Sequence, residues 1–175
     1  MKKYIGLVLV AMSGCILTVN AQQSFSYKNP LLPTELRVND LLGRMTLEEK
    51  IAQIRHLHSW DVFDGQILNQ EKLDKMCGGI GYGFFEGFPL TAASCRKTFR
   101  EIQTYMVEKT RLGIPGFPVA ESLHGVVHEG TTIYPQNIAM GSTFNPELAY
   151  EKTKHIAGEL NTMGVKQVLA PCIDV

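Results

Sequence analysis

Between Cys77 and Val175, short apolar runs alternate with amphipathic helical stretches, and that alternation restricts the chain to a parallel α/β sheet. Ile80 to Phe85, rich in aromatic residues and glycine, reads as a short buried strand. Gly116 to Ala120 reads as a second, and the apolar, β-branched stretch Val165 to Val175 as a third. Thr91 to Leu112 is expected to be a helix, with Cys95, Phe99, Ile102 and Met106 on one face. Gly113 suits its left-handed cap, and Pro115 prevents continuation. Asn145-Pro146-Glu147 opens another helix with a side-chain cap, a proline at the first helical position and an acid near the dipole. Leu148, Ile156, Leu160 and Met163 are expected to face the core there, and Gly164 to end the helix. Such an order implies right-handed crossovers and strands buried on both faces. The third strand meets the chain end without a covering helix, which reads as an interruption. A closed eightfold barrel needs roughly 200 residues or more.

Upstream, Pro33 to Leu57 reads as helix in two pieces. Val38, Leu41, Leu42 and Met45 fall at the spacing of one helical face, and Leu47, Ile51 and Ile54 are expected to line the next. Thr46-Leu47-Glu48-Glu49 forms a capping box. Asp61 to Gly65 has loop composition, and a short helix is expected around Gln70 to Met76. Lys2 and Lys3 precede an apolar run from Tyr4 to Val19, and Val19-Asn20-Ala21 offers small residues before polar Gln22-Gln23-Ser24. This is the pattern of a secretory signal peptide at 1–21, so export to periplasm or medium is expected. A second reading makes Cys15, after Met12-Ser13-Gly14, a lipidated N-terminus. No stable membrane span is expected after cleavage.

The 17 basic and 17 acidic side chains balance, no Lys/Arg cluster lies on any stretch, and no nucleic-acid partner is expected. Cys77, Cys95 and Cys172 show no metal-ligand spacing and read as small buried hydrophobes; sequence leaves a disulfide between two of them open.

The densest polar cluster, Glu121 to Gly130, follows the second strand, at the C-terminal strand edge where parallel α/β folds bind ligands. A carboxylate there can accept hydrogen bonds from sugar hydroxyls, and His124 can donate or accept nearby; the alternative is a solvated loop tied together by His124. His124 and His128 are spaced i, i+4, but His-Gly-Val-Val-His lacks a glutamate base and Gly125 disfavours a helix, so no metal and no cofactor are expected. His56 and His58, two apart, are expected on different helix faces at the surface. Cys77 to Gly83 contains no G-x-G-x-x-G, and close backbone approach accounts for its glycines. Asp174 reads equally as a site or a structural carboxylate. Trp60, the sole tryptophan, reads as packing more than as a sugar platform.

Several blocks resemble glycoside hydrolase family 3 in order along the chain: Asn39 to Lys50, Leu112-Gly113-Ile114-Pro115, Glu121-Ser122-Leu123-His124-Gly125-Val126, Tyr134 to Met140, Ser142 to Leu148, and Leu169 to Val175. The resemblance implies a partial (β/α)8 TIM barrel, roughly its first three βα units, preceded by N-terminal helices. The expected organisation is a signal peptide at 1–21, a helical lead-in at 22–76 and a truncated barrel domain at 77–175. It implies an exported β-glucosidase that hydrolyses terminal non-reducing β-D-glucosyl residues with retention, acting on β-linked gluco- or xylo-oligosaccharides. The alternatives are a β-xylosidase of the same family and a non-catalytic carbohydrate-binding module. The family's Asp nucleophile and Glu acid/base lie on later segments and have no counterpart here, so no residue is assigned as catalytic. Glu121 matches the carboxylate that holds outer hydroxyls of the sugar next to the cleaved bond, and His124 matches a supporting position beside it. Many glucosidases of the family have Asp at the first position; the extra methylene of Glu121 crowds a hydroxymethyl group and tilts the choice toward xylose.

Overall fold

The computed structural model describes residues 26–87 and 91–172. The expected signal peptide, the lipidation candidate Cys15 and Asp174 lie outside the described residues. The chain divides into two units, one up to Gly43 and one from Arg44 onward.

In the first unit a 3-10 turn at Ser26–Lys28 precedes helix α1, Thr34–Arg44. The Tyr27 amide donates to Asp40 Oδ2 at 3.0 Å, and Arg37 Nε donates to the Tyr27 carbonyl at 2.9 Å, tying the turn to the helix. The apolar spacing does form a helix, yet α1 has no buried residue, and Leu36, Val38 and Leu42 face solvent. Periodicity reports which face a helix would bury, not whether a neighbour covers it.

The second unit opens with α2, Leu47–Ala52, under the expected capping box: Glu49 N donates to Thr46 Oγ1 at 3.2 Å, and Thr46 N to Glu49 Oε2 at 2.9 Å. Leu47, Ile51 and Ile54 are exposed, a correction to the buried face expected of them. The helix also stops short of Leu57. Sheet pairing captures the following backbone: Phe84 N donates to Arg55 O at 3.3 Å, and His56–His58 becomes strand β1. A short helix α3 (Ser59–Val62) and a hairpin of β2 (Phe63–Asp64) and β3 (Ile67–Leu68) replace the expected loop. Helix α4 covers Gln70–Cys77, as its pattern predicts.

Strands β4 (Phe84–Glu86), β5 (Phe117–Glu121) and β6 (Gln167–Leu169) complete a four-stranded sheet in the order β1-β4-β5-β6, every pair parallel. Neighbours in the sheet follow chain order. A doubly wound sheet reverses direction at a switch point, whereas a βα barrel adds strands at one advancing edge. The strand expected at Ile80–Phe85 starts later because Gly83 sits against the Gln53 carbonyl, where a Cβ would clash with backbone, and its amide reaches Ala52 O at 3.0 Å. The expected close backbone approach of this glycine is therefore present. The sheet also begins at His56, inside the segment read as helical lead-in.

Helix α5 (Ala92–Lys109) is capped by Thr91, whose Oγ1 accepts from Ser94 N at 3.2 Å. It ends before Gly113: Thr110 takes an extended conformation and turns its hydroxyl back to the Met106 carbonyl. After helix α6 (Asn137–Gly141), helix α7 (Pro146–Met163) starts as expected, with Asn145 Oδ1 accepting from Leu148 N at 3.0 Å and Gly164 closing it at φ 96°. Leu148 itself is exposed, against expectation. The core lies between sheet and helices. Leu57 and Phe85 point into it, joined by Cys95, Phe99, Ile102 and Met106 of α5 and Ile156, Leu160 and Met163 of α7. Phe85 meets Phe99 edge to face, with centroids 5.6 Å apart.

Candidate functional site

Side chains alternate along a strand, so the residues flanking Leu57 and Phe85 occupy the opposite face of the sheet. That face stacks in layers. His56, Phe84 and Phe117 make the lower one, with ring centroids 5.0 Å and 5.8 Å apart in sequence. Above it, His58 stands in register with Glu86, and Glu121 in register with Leu169. The C-terminal ends of the strands thus carry His58, Glu86 and Glu121.

Glu86 Oε1 lies 3.2 Å from His56 Nδ1 and 3.3 Å from His58 Nδ1, although neither nitrogen makes an aligned hydrogen bond. This corrects the reading of the two histidines as surface groups on different helix faces. On a strand, positions two apart share a face, and both rings are half-buried. His58 stacks on Trp60 with centroids 4.3 Å apart and planes 8° from parallel. Trp60 is 69% exposed, which overturns its reading as a packing residue.

Glu121 ends β5, and its carboxylate makes no hydrogen bond or ion pair with any described residue. It lines a cavity of about 400 Å³ together with His58, Trp60, Glu86, His128 and Leu169. His124 does not line that cavity. Its backbone carbonyl accepts from Tyr134 N at 2.7 Å, and its Nδ1, like Ser122 Oγ, is buried without a partner among the described residues. Gly125, at φ 104°, faces the Thr132 carbonyl so closely that only glycine fits, and this folds the loop after Glu121 back on itself. Thr132 anchors that loop to α7: its amide donates to Glu159 Oε2 at 3.2 Å and its hydroxyl to Oε1. Burial holds the His128 imidazole below its ordinary pKa, which favours the neutral ring.

Cys77 and Cys95 are buried, and desolvation pushes their thiols up to about 12 and about 11. Cys172 is free and exposed, a correction to its reading as a buried hydrophobe. Among the described residues no three His, Cys, Asp or Glu side chains converge as metal ligands, and no helix is long and apolar enough to cross a membrane.

A sequence model of the glycosyl hydrolase family 3 N-terminal domain matches residues 46–175. The chain belongs to glycosyl hydrolase family 3. It is similar to a provisionally named β-xylosidase of Formosa agariphila, 30% identical over 158 residues that make up 87% of this chain and 21% of that protein. It is also similar to the periplasmic β-glucosidase of Salmonella typhimurium, 27% identical over 175 residues, or 99% of this chain and 21% of that one. A solved structure described as a novel β-glucosidase from Erythrobacter marinus superposes with a TM-score of 0.72 at 27% identity, covering 88% of this chain and 20% of that chain. This family 3 chain therefore spans about a fifth of the length of these relatives. The matched segment starts at Thr46, the cap of α2, and takes in every strand of the parallel sheet.

His58 and Glu86 were not among the site residues expected from sequence. Read with a period of two, His56-Leu57-His58 is a polar–apolar–polar strand whose histidines share one face. Glu86 directly follows the aromatic run, at the position where a strand would present it.

Proposed function

We propose that this family 3 chain supplies the sugar-binding edge of an exported β-glycosidase, with Glu121 holding outer hydroxyls of the terminal non-reducing residue. The observation that carries the reading is the unpaired Glu121 carboxylate at the end of β5, on the wall of the cavity. A carboxylate accepts hydrogen bonds only, so neighbouring sugar hydroxyls can both donate to it, and charge-assisted bonds of this kind contribute about 1.5–3 kcal/mol each. His124 supports the loop that carries Glu121 and does not act on the sugar directly. The substrate is a β-linked gluco-oligosaccharide, hydrolysed with retention by a carboxylate nucleophile and a separate acid/base. Neither of those roles falls to Glu86, Glu121 or Glu129.

A β-xylosyl substrate is favoured by one specific feature, the extra methylene of Glu121, which takes up space that a hydroxymethyl group would need. Saturation-transfer NMR with glucose and xylose tests both readings. Saturable binding that Glu121→Gln weakens about tenfold supports the assignment, and the tighter sugar identifies the substrate. Binding indifferent to Glu121→Gln would remove it.

A further inference from the structure

We propose that Glu159 and Lys152, both on helix α7, are positioning residues for Glu121: together they clamp the loop that leaves β5 and so fix where the Glu121 carboxylate stands. The inference rests on the reading of Glu121 as a sugar contact.

Apolar packing gives no reason for either side chain. They lie two helical turns apart on the stripe of α7 that carries Ile156, Leu160 and Met163 into the core. Lys152 is 7% exposed, and Glu159 is half-buried. A leucine or methionine would bury the same methylenes without taking a charge out of water. Their hydrogen bonds supply the reason. Glu159 Oε2 accepts from the Thr132 amide at 3.2 Å, and Oε1 accepts from the Thr132 hydroxyl. Lys152 Nζ donates to the Pro135 carbonyl at 2.9 Å and to Asn137 Oδ1 at 2.8 Å. Every one of these bonds ends on the returning limb of the loop.

From that limb, two contacts lead back toward Glu121. Gly125 packs on the Thr132 carbonyl, too close for any Cβ, and the Tyr134 amide donates to the His124 carbonyl at 2.7 Å. The outgoing limb just past Glu121 is thus pinned to a return that α7 holds. Residues 122–136 form neither helix nor strand, and the Glu121 carboxylate has no partner among the described residues to hold it. Its position therefore depends on how the loop is tied down. Loosening a tie leaves the ligand to order the carboxylate, which weakens binding.

The test measures xylose and glucose Kd by saturation-transfer NMR in the 175-residue chain, alongside thermal melts and amide exchange. Glu159→Gln and Lys152→Met are each expected to raise Kd about fivefold. Exchange at Thr132 and Tyr134 should quicken about tenfold in Glu159→Gln. Lys152→Met should keep its melting temperature, because Pro135 and Asn137 are exposed and water takes over both bonds. A residue serving stability alone would move the melt and leave Kd in place. Added to Glu121→Ala, either substitution should change Kd no further, because the side chain it positions is gone. Should Glu159→Gln not fold, Lys152→Met carries the same cycle. Unchanged Kd in the single variants, or losses that multiply with that of Glu121→Ala, overturns the clamp and leaves the Glu121 reading standing. Wild-type affinity in Glu121→Ala, or no binding of either sugar, removes the Glu121 reading and the clamp with it.

Discussion

Arg111 grips Glu49 with two nitrogens across 62 residues of sequence: Nε donates to Oε1 at 2.8 Å, and Nη2 bonds to Oε2. The same carboxylate caps α2 through Thr46 N, and the same guanidinium reaches the Arg44 carbonyl at 2.8 Å. Glu49 is buried, so one carboxylate joins the start of the unit to the segment leading into β5. The Arg111 hydrogen bond is the main cause holding the Glu49 pKa below the usual carboxylate range, against an opposing effect of burial. A depressed native pKa contributes stability that is complete above the unfolded value and is lost as pH falls through the native one. Urea denaturation is expected to show a plateau above pH ~5.5 and a decline below pH ~4.3, the ordinary value for a glutamate. Arg111→Gln is expected to cost about 1–2 kcal/mol at pH 7, because the guanidinium is half exposed and screened by solvent, and to flatten that acid limb. An unchanged limb in the variant would remove Glu49 as its source.

His128 titrates with the opposite sense of charge. Burial lowers its pKa, so the unfolded chain takes up a proton at a higher pH than the folded one, and stability falls as pH drops below the ordinary histidine value of about 6.5. His128→Gln should remove that component without altering stability at pH 8. Denaturation midpoints at pH 5, 6, 7 and 8 for both proteins measure it.

Gly83 tolerates no side chain. A Cβ there is driven into the Gln53 carbonyl, which is backbone and cannot rotate aside. Gly83→Ala is expected to cost about 3 kcal/mol, whereas Gly43→Ala, with open space around its position, should be neutral or slightly stabilising. Thermal melts of the two variants provide the comparison. Equal melting temperatures would show that the α2-to-β4 contact is not close in solution.

The thiols sort by burial. Cys77 and Cys95, pushed up to about 12 and about 11, stay protonated and enclosed at neutral pH, while Cys172 is exposed. Brief iodoacetamide treatment of the folded protein followed by peptide mass mapping should find Cys172 labelled and the other two protected until urea is added. Labelling of Cys77 at the rate of Cys172 would contradict the packing of α4.

Much of the local structure was legible because its determinants are local. The Thr46–Glu49 capping box and the Asn145-Pro146 helix start need only residues three positions apart, and both stand as their sequence implies. Gly125 belongs to the Glu-Ser-Leu-His-Gly block, and its left-handed φ accounts for the glycine there. The misreadings share one cause. His56–His58 looked like the end of a helix because the pairing with Phe84–Glu86 that makes it a strand is set by residues nearly thirty positions away. Leu47, Ile51, Ile54 and Leu148 carry helical apolar spacing and yet are exposed, because spacing names a face and says nothing of what covers it.

The site divides along the same line. Sequence alone placed Glu121 directly after a strand of a parallel sheet, since the apolar run, the following polar cluster and the helix start at Asn145 lie close together in the chain; the structure extends the strand to include it. Only the tertiary structure decided that Glu121 shares a cavity with Glu86 and Trp60, and that His56 and His58 meet one carboxylate oxygen. Those neighbours come from three different strand ends. Strand order and register place them, and both follow from how the helices pack on the far face of the sheet rather than from any short stretch of sequence.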